Sequence, residues 1–416
     1  MYQKTILPCG VRLLTEEVPG FSSVAIGFWV NVGSKKEAHA EAGMSHLLEH
    51  LLFKGTHKRT AREIAELLDS VGGHLNAFTS KEHTCYYAKV LAEHFPLAFD
   101  VLADMFLNPK LALEDVEREK KVVQEEINMY EDSPDELVHD LLAQSVWSQH
   151  PLGRPVLGTR KSVAQLNQQQ IHAFFQRHYT PSNLVIAVAG NIKHDQVVTQ
   201  CEKYFTSDTH IPTTKSNLPA SQPLFQAGPA IFTRPLEQVH LCLGAPGVPI
   251  VDEDNYAIDV ANSILGGGLS SRLFQHIREE HGLAYSVYSY HVAYQDSGLL
   301  TIYAGLSKDN LKAGLELIQK ELDAMIRKPI VAQELNRAKQ QVLGNFFLGL
   351  ENTTNRMIRL GKQELSLERW VSPEEVRAKI QAVTADDILT ICSRLFQKSS
   401  LAAVVLGPVE AGEITW

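Results

Sequence analysis

The sequence predicts an α+β fold built twice: two homologous domains, each a mixed, largely antiparallel sheet packed with helices. Three observations lead there. The chain has 416 residues, more than one ordinary core holds. A stretch from Thr206 to Pro229 carries four prolines (Pro212, Pro219, Pro223, Pro229) among Ser, Thr, Asn and Gly, shows no period, and reads as a linker. The halves on either side present their elements in the same order. The expected division is a domain over 1–210, a linker over 211–228 and a second domain over 229–416.

The first half opens with strand pattern from Lys4 to Thr15 and again from Ser23 to Val32. His74 to Leu91 alternates and is rich in Thr, Tyr and Val, which predicts a strand pair introduced by the Gly72-Gly73 turn. Asn183 to Ala189, a β-rich run ended by Gly190, closes the half. The second half has a strand at Val239 to Gly244 and closes on Leu401 to Leu406, ended by Gly407. Helical pattern fills the space between in both.

Composition narrows the function. Hydrophobic residues make up 44% and charged residues 21%, as in a folded globular chain. A net charge of −9 argues against a general nucleic-acid binder and leaves room for a basic substrate. Five scattered cysteines without CxxC spacing read as reduced, small hydrophobes in a reducing compartment. No apolar run is long enough to span a bilayer, so no membrane partner is expected. The first residues show neither a signal peptide nor a transit peptide, so a cytoplasmic protein is expected, with a processed organellar chain as the alternative.

The strongest chemical signal is His46-Leu47-Leu48-Glu49-His50. At about 100° per residue, His50 lies about 40° from His46 and Glu49 about 60° the other way, so all three share one helix face. Met44, Leu47, Leu48 and Leu51 fall opposite and give the helix its core contact. Two imidazoles one turn apart can grip one zinc ion, and Glu49 is placed to take a proton from an attacking water. Two surface histidines on an amphipathic helix is the plainer alternative.

A catalytic zinc needs a third protein ligand and an open position. The candidate helix runs from Glu114 to Tyr130. With Glu119 at zero, Glu126 falls near −20°, Val123 near 40°, Val116 near 60°, Ile127 near 80° and Val122 near −60°, whereas Glu125 points about 120° away. Glu119 and Glu126 therefore sit in the apolar stripe, where a carboxylate needs a partner or a metal. An ion pair to Arg118 or to a lysine of the other half is the alternative.

His-x-x-Glu-His resembles the inverted zinc motif of the inverzincins, the metallopeptidase family of pitrilysin, insulin-degrading enzyme and mitochondrial processing peptidase. In that family a downstream glutamate completes the site, with a supporting glutamate seven residues before it. Here Glu126 follows His50 by 76 residues and Glu119 by seven. The resemblance implies one zinc per chain, held by His46, His50 and Glu126, with Glu49 as general base and Glu119 in support.

The resemblance extends along the chain. Gly266-Gly267-Gly268 lacks the Gly-Lys-Ser/Thr of a phosphate loop and reads instead as a turn capped by Ser270 at a helix start. Beyond it, Arg278 and Tyr285 stand seven apart in a Gly-Leu-x-Tyr setting, as do the arginine and tyrosine that reach the substrate in the family. Both can donate hydrogen bonds to a carbonyl oxygen that becomes anionic. Pairing of Arg278 with a neighbouring acid, and a core Tyr285, is the alternative. Asn76-Ala77-Phe78-Thr79-Ser80 looks like the family's edge strand, which pairs with substrate backbone, Asn76, Ala77 and Phe78 foremost; a hairpin serving only the sheet is the alternative. Glu136 and Asp140, one turn apart after Pro134, match the acids that bind a basic substrate residue in processing peptidases; a solvated helix face is the alternative.

The length is closest to the short processing-peptidase type, in which one chain supplies half of a clamshell chamber. The resemblance therefore implies an endopeptidase acting on extended peptides or unfolded segments, with a homodimer expected, or a heterodimer with a related chain. The competing reading is a catalytically silent scaffold of the same fold. An intact Glu49 counts against it, because a structural zinc site has no use for a base.

Overall fold

The structure, a computed structural model, describes residues 1–206 and 223–410. Most of the expected linker, 211–222, lies outside those residues. Two compact units carry the chain, and each is built on one sheet.

The first sheet has six strands: β1 (Tyr2–Ile6), β2 (Arg12–Glu17), β3 (Ser23–Val30), β4 (His74–Thr79), β5 (Thr84–Leu91) and β6 (Leu184–Gly190). Their order is β1-β2-β6-β3-β5-β4, with β2 and β6 parallel and the other neighbours antiparallel. The continuous strand expected from Lys4 to Thr15 is in fact the β1–β2 hairpin. Its turn closes through Gly10 N–H to Leu7 O at 2.8 Å, and Gly10 adopts φ 95°, which breaks the run. The β4–β5 pair follows the Gly72-Gly73 turn as expected, with Gly72 at φ 64°.

The second sheet has five strands: β7 (Gly228–Thr233), β8 (Val239–Pro246), β9 (Ala284–Ala293), β10 (Gly298–Leu306) and β11 (Ala402–Gly407). Their order, β7-β11-β8-β10-β9, repeats that of β2, β6, β3, β5 and β4, including a single parallel pair, β7 with β11. The fold is thus the duplicated α+β architecture that the sequence predicts.

β3 is buried along nearly its whole length because both faces of the first sheet are covered. On one face Val24, Ile26, Phe28 and Val30 join a core with Phe99 and Leu102 of the helix Phe95–Leu107. On the other, Ala25 and Trp29 meet Met357 and Leu360 of the helix Thr353–Leu367. The approach there is close. A Cβ on Gly361 would fall 2.2 Å from the Trp29 ring, so the helix can lie on the strand only with glycine at that position.

The helix Thr353–Leu367 belongs to the first unit although it comes from the second half of the sequence. Conversely, Met129–Gly153 belongs to the second unit, where the helix Pro134–Val146 lays Val138, Leu142 and Val146 against Cys242, Val404 and Leu406. A division into 1–210 and 229–416 does not describe these two helices. Each covers a sheet that its own half does not make. All five cysteines are buried and free, consistent with small apolar side chains. Among the described residues no helix is long and apolar enough to cross a membrane.

Candidate metal centre

The motif helix spans Met44–Leu52. Gly43 precedes it at φ 91°, a conformation that favours glycine, and the carboxylate of Glu37 accepts from the N–H groups of Gly43 (2.9 Å) and Ser45 (2.7 Å). Met44, Leu47, Leu48 and Leu51 are buried as the wheel requires. That leaves His46, Glu49 and His50 on the remaining face.

The second helix spans Leu113–Glu131, one residue longer at each end than expected. Val116, Glu119, Val123 and Ile127 are its buried residues. The buried stripe is therefore centred between Glu119 and Ile127, narrower than the sequence reading. Glu126 lies at its margin with its side chain 44% exposed, and Val122, counted in the stripe, is exposed. Glu119 is the truly buried carboxylate. Its partner is Lys54 of the same half, at 3.0 Å, while Arg118 meets Asp115.

The two helices bring three donors together. Nε2 of His46 lies 3.7 Å and Nε2 of His50 lies 3.6 Å from Oε2 of Glu126, and the ligand atoms of the three residues all fall within 4.8 Å of one another. Ligands about 2.1 Å from one tetrahedral zinc are themselves about 3.4 Å apart, so this donor set fits the ion. Burial, with the neighbouring His50 adding to it, lowers the His46 pKa to about 4, which keeps the ring neutral and its lone pair free at neutral pH. On the far side of His50, Nδ1 meets Oε2 of Glu119 at 3.3 Å, the outer carboxylate that commonly orients a metal-binding imidazole.

Glu49 leaves the same helix face beside these groups. Burial raises its pKa, opposed by a hydrogen bond from Thr79 and by the charge of His50. The Thr79 hydroxyl donates to Oε2 of Glu49 at 2.6 Å. The sequence places Thr79 on the edge strand but not against Glu49, since strand and helix lie 30 residues apart and no spacing rule links them.

Asn76, Ala77 and Phe78 stand on β4, the strand at the edge of its sheet, with Asn76 exposed. Oδ1 of Asn76 accepts from the N–H of Ala77 at 2.8 Å. Phe78 turns to the sheet's other face and packs edge-on against Trp29.

Similar chains put this geometry in context. Residues 12–160 match the family model described as "Insulinase (Peptidase family M16)", and residues 165–342 match "Peptidase M16 inactive domain". The "uncharacterized zinc protease YmxG" of Bacillus subtilis is 44% identical over 396 residues, covering 95% of this chain and 96% of its own. The chain belongs to peptidase family M16. Another M16 relative, an "uncharacterized zinc protease" of Streptomyces coelicolor, is 42% identical over 98% of this chain and 90% of its own. Two solved structures share the fold. A protease from Helicobacter pylori superposes with a TM-score of 0.92 at 21% identity, covering 98% of this chain and 99% of its own. A protein of Pseudomonas fluorescens titled "peptidase M16 inactive domain" gives 0.90 at 21%, covering 99% and 100%.

The other expected residues of this M16 chain fall in the second unit. Arg278 lies in a π-helical turn, Phe274–Glu280, a rare geometry that often marks functional positions. Its guanidinium carbon sits 4.8 Å from the Phe274 ring centre and 5.0 Å from that of Tyr285, with Nε 3.8 Å from Glu279. Tyr285 is 80% exposed and so is no core residue. The helix expected to be capped by Ser270 has Ser271 there instead, whose carbonyl accepts from Gln275 N–H at 3.0 Å. Two of the preceding glycines answer to packing: a Cβ on Gly266 would fall 2.5 Å from the backbone nitrogen of Ser289, and one on Gly267 2.8 Å from Cα of Ser263. Glu136 and Asp140 both lie on the helix Pro134–Val146, Glu136 exposed and Asp140 half-buried. Beside them, the Tyr130 hydroxyl donates to the Glu136 carbonyl at 3.1 Å, and burial and then the charges of Asp140 and Glu136 push its pKa well above the usual value.

Proposed function

We propose that this chain is a zinc-dependent endopeptidase acting on extended or unfolded polypeptide, with one zinc held by His46, His50 and Glu126. The observation that carries this reading is the convergence of those three ligand atoms within 4.8 Å beside a carboxylate, Glu49, that is not one of them. A purely structural zinc site would be closed by four protein ligands. Zinc, when bound, supplies a Lewis acid that polarises the scissile carbonyl and makes water a stronger acid.

The remaining steps fall to side chains. Glu49 takes the proton from the attacking water and returns it to the leaving amine, and its raised pKa suits both transfers. Glu119, anchored by Lys54, fixes the tautomer and angle of His50. β4 offers an open strand edge to which any extended peptide can add through its main chain, which is why the substrate class is polypeptide rather than one small molecule. Arg278 and Tyr285 serve as donors to the carbonyl oxygen, and Glu136 with Asp140 favours a basic side chain near the cut. Pairing of two copies into a homodimer, in the cytoplasm, completes the reading and rests on the family resemblance and the sequence.

The test is direct. Purified protein should bind one equivalent of zinc and cleave a mixed peptide library in a chelator-sensitive way, and Glu49→Gln should keep the zinc and lose at least about 100-fold in kcat. Near-normal cleavage by Glu49→Gln would overturn the assignment.

A further inference from the structure

We infer that Thr79 is a positioning residue for Glu49, through which the strand edge that receives the peptide also fixes the base. The inference rests on the peptidase reading above and adds a residue and a coupling that the motif does not contain.

Three facts define the contact. The Thr79 hydroxyl lies 2.6 Å from Oε2 of Glu49, in the range of a short O–H···O⁻ hydrogen bond to an ionised acceptor. Its single proton has one competing acceptor, the Thr84 hydroxyl at 3.4 Å. Thr84 commits its own proton to the carbonyl of Val32 at 2.9 Å, and the shorter, charged contact wins the proton of Thr79. Thr79 thus donates and Glu49 accepts.

The strand fixes the direction of that donor. Threonine is branched at Cβ and stiff at χ1, so its hydroxyl follows the backbone closely. Thr79 ends β4 directly opposite Thr84 of β5, which sets its register. Glu49, by contrast, has three side-chain torsions and is only half-buried on its helix. Without the hydroxyl, nothing among the hydrogen bonds of the described residues holds its carboxylate at one rotamer. β4 pairs with β5 on one side only, so a peptide that adds to its free side also steadies Thr79 and, through it, the base.

The experiment compares Thr79→Val, which keeps the branched shape and removes the hydroxyl, with Thr79→Ser, which keeps the hydroxyl. Steady-state cleavage of an internally quenched peptide, zinc content and crystal structures would be measured for both and for the parent. Thr79→Val should lose about 10- to 100-fold in kcat with KM within about twofold and zinc retained. Thr79→Ser should recover most of that loss. In the crystals Glu49 should occupy one conformer in the parent and Thr79→Ser, and a displaced or split one in Thr79→Val. An unmoved kcat in Thr79→Val, or an undisplaced Glu49, overturns the inference. A parent without chelator-sensitive cleavage sinks the peptidase reading instead, and the Glu49 conformers still decide the contact.

Discussion

Nζ of Lys54 meets one carboxylate oxygen of Glu119 at 3.0 Å, which leaves the other oxygen to face Nδ1 of His50 at 3.3 Å. The carboxylate is 2% exposed, so its charge is compensated by these two partners and little by water. Outer partners of this kind are worth about 10- to 100-fold in metal affinity. Glu119→Gln should lower zinc affinity by that factor in competition with a chromogenic chelator, and Glu126→Gln should lower it further. Equal affinity of parent and Glu119→Gln would remove Glu119 from the metal centre.

Glu37 ties the motif helix to pH. Burial raises its pKa from 4.5 to about 7, against the pull of the Ser45 and Gly43 N–H groups. A carboxyl whose folded pKa is raised holds its proton more tightly in the native state. That stabilisation is complete below about pH 4.5 and lost as pH rises through about 7, on the order of 3 kcal/mol. Urea midpoints taken from pH 4.5 to 8 should fall for the parent and stay flatter for Glu37→Gln. Parallel curves for the two proteins would rule this out.

Gly361 should tolerate nothing larger. In an exposed helix Gly→Ala stabilises by up to about 1 kcal/mol. Here the new methyl would collide with the Trp29 ring, so Gly361→Ala should destabilise by about 1–3 kcal/mol, read as a lower urea midpoint. A stabilised variant would mean that the helix can lift from β3 at no cost.

Tyr285 is 80% exposed, so Tyr285→Phe should leave the melting temperature unchanged. If its hydroxyl donates to the developing oxyanion, kcat should drop by about 10- to 100-fold with little change in KM. An unaltered kcat would leave Tyr285 as a stacking partner of Arg278 alone.

The acidic pair makes a specificity prediction. Glu136 and Asp140 should favour peptides with Arg one or two positions before the cut, less so as salt rises. Glu136 is exposed, so the preference should be modest, on the order of 1 kcal/mol. Converting both acids to amides should erase the Arg preference and spare neutral peptides; a double variant with the parent's preference would make the pair a solvated face.

Much of the centre was legible because it is local. The i, i+3, i+4 spacing of His46, Glu49 and His50 and the seven-residue spacing of Glu119 and Glu126 are properties of single helices. The burial of Glu119 and the margin position of Glu126 were harder, since a wheel gives direction on a helix and not what stands opposite. The contacts of Thr79, Lys54 and Glu37 are not legible for the same reason: each acts on a group from another element. The hairpin β9–β10 stands where the sequence expectation has helical pattern. Tyr285, Val287, Tyr288 and Tyr290 before the Gln295-Asp296-Ser297-Gly298 turn are its strand signals.

The exchange of helices has a consequence for how the chain is made. A ribosome that has released only the first half has synthesised all six strands of the first sheet but not the helix Thr353–Leu367 that covers Trp29 and Ala25. That face stays open until some 150 more residues emerge, a delay of about 8–30 s at roughly 5–20 residues per second. The nascent half-molecule therefore carries a bare apolar sheet face, exposed to aggregation until its own distant sequence arrives.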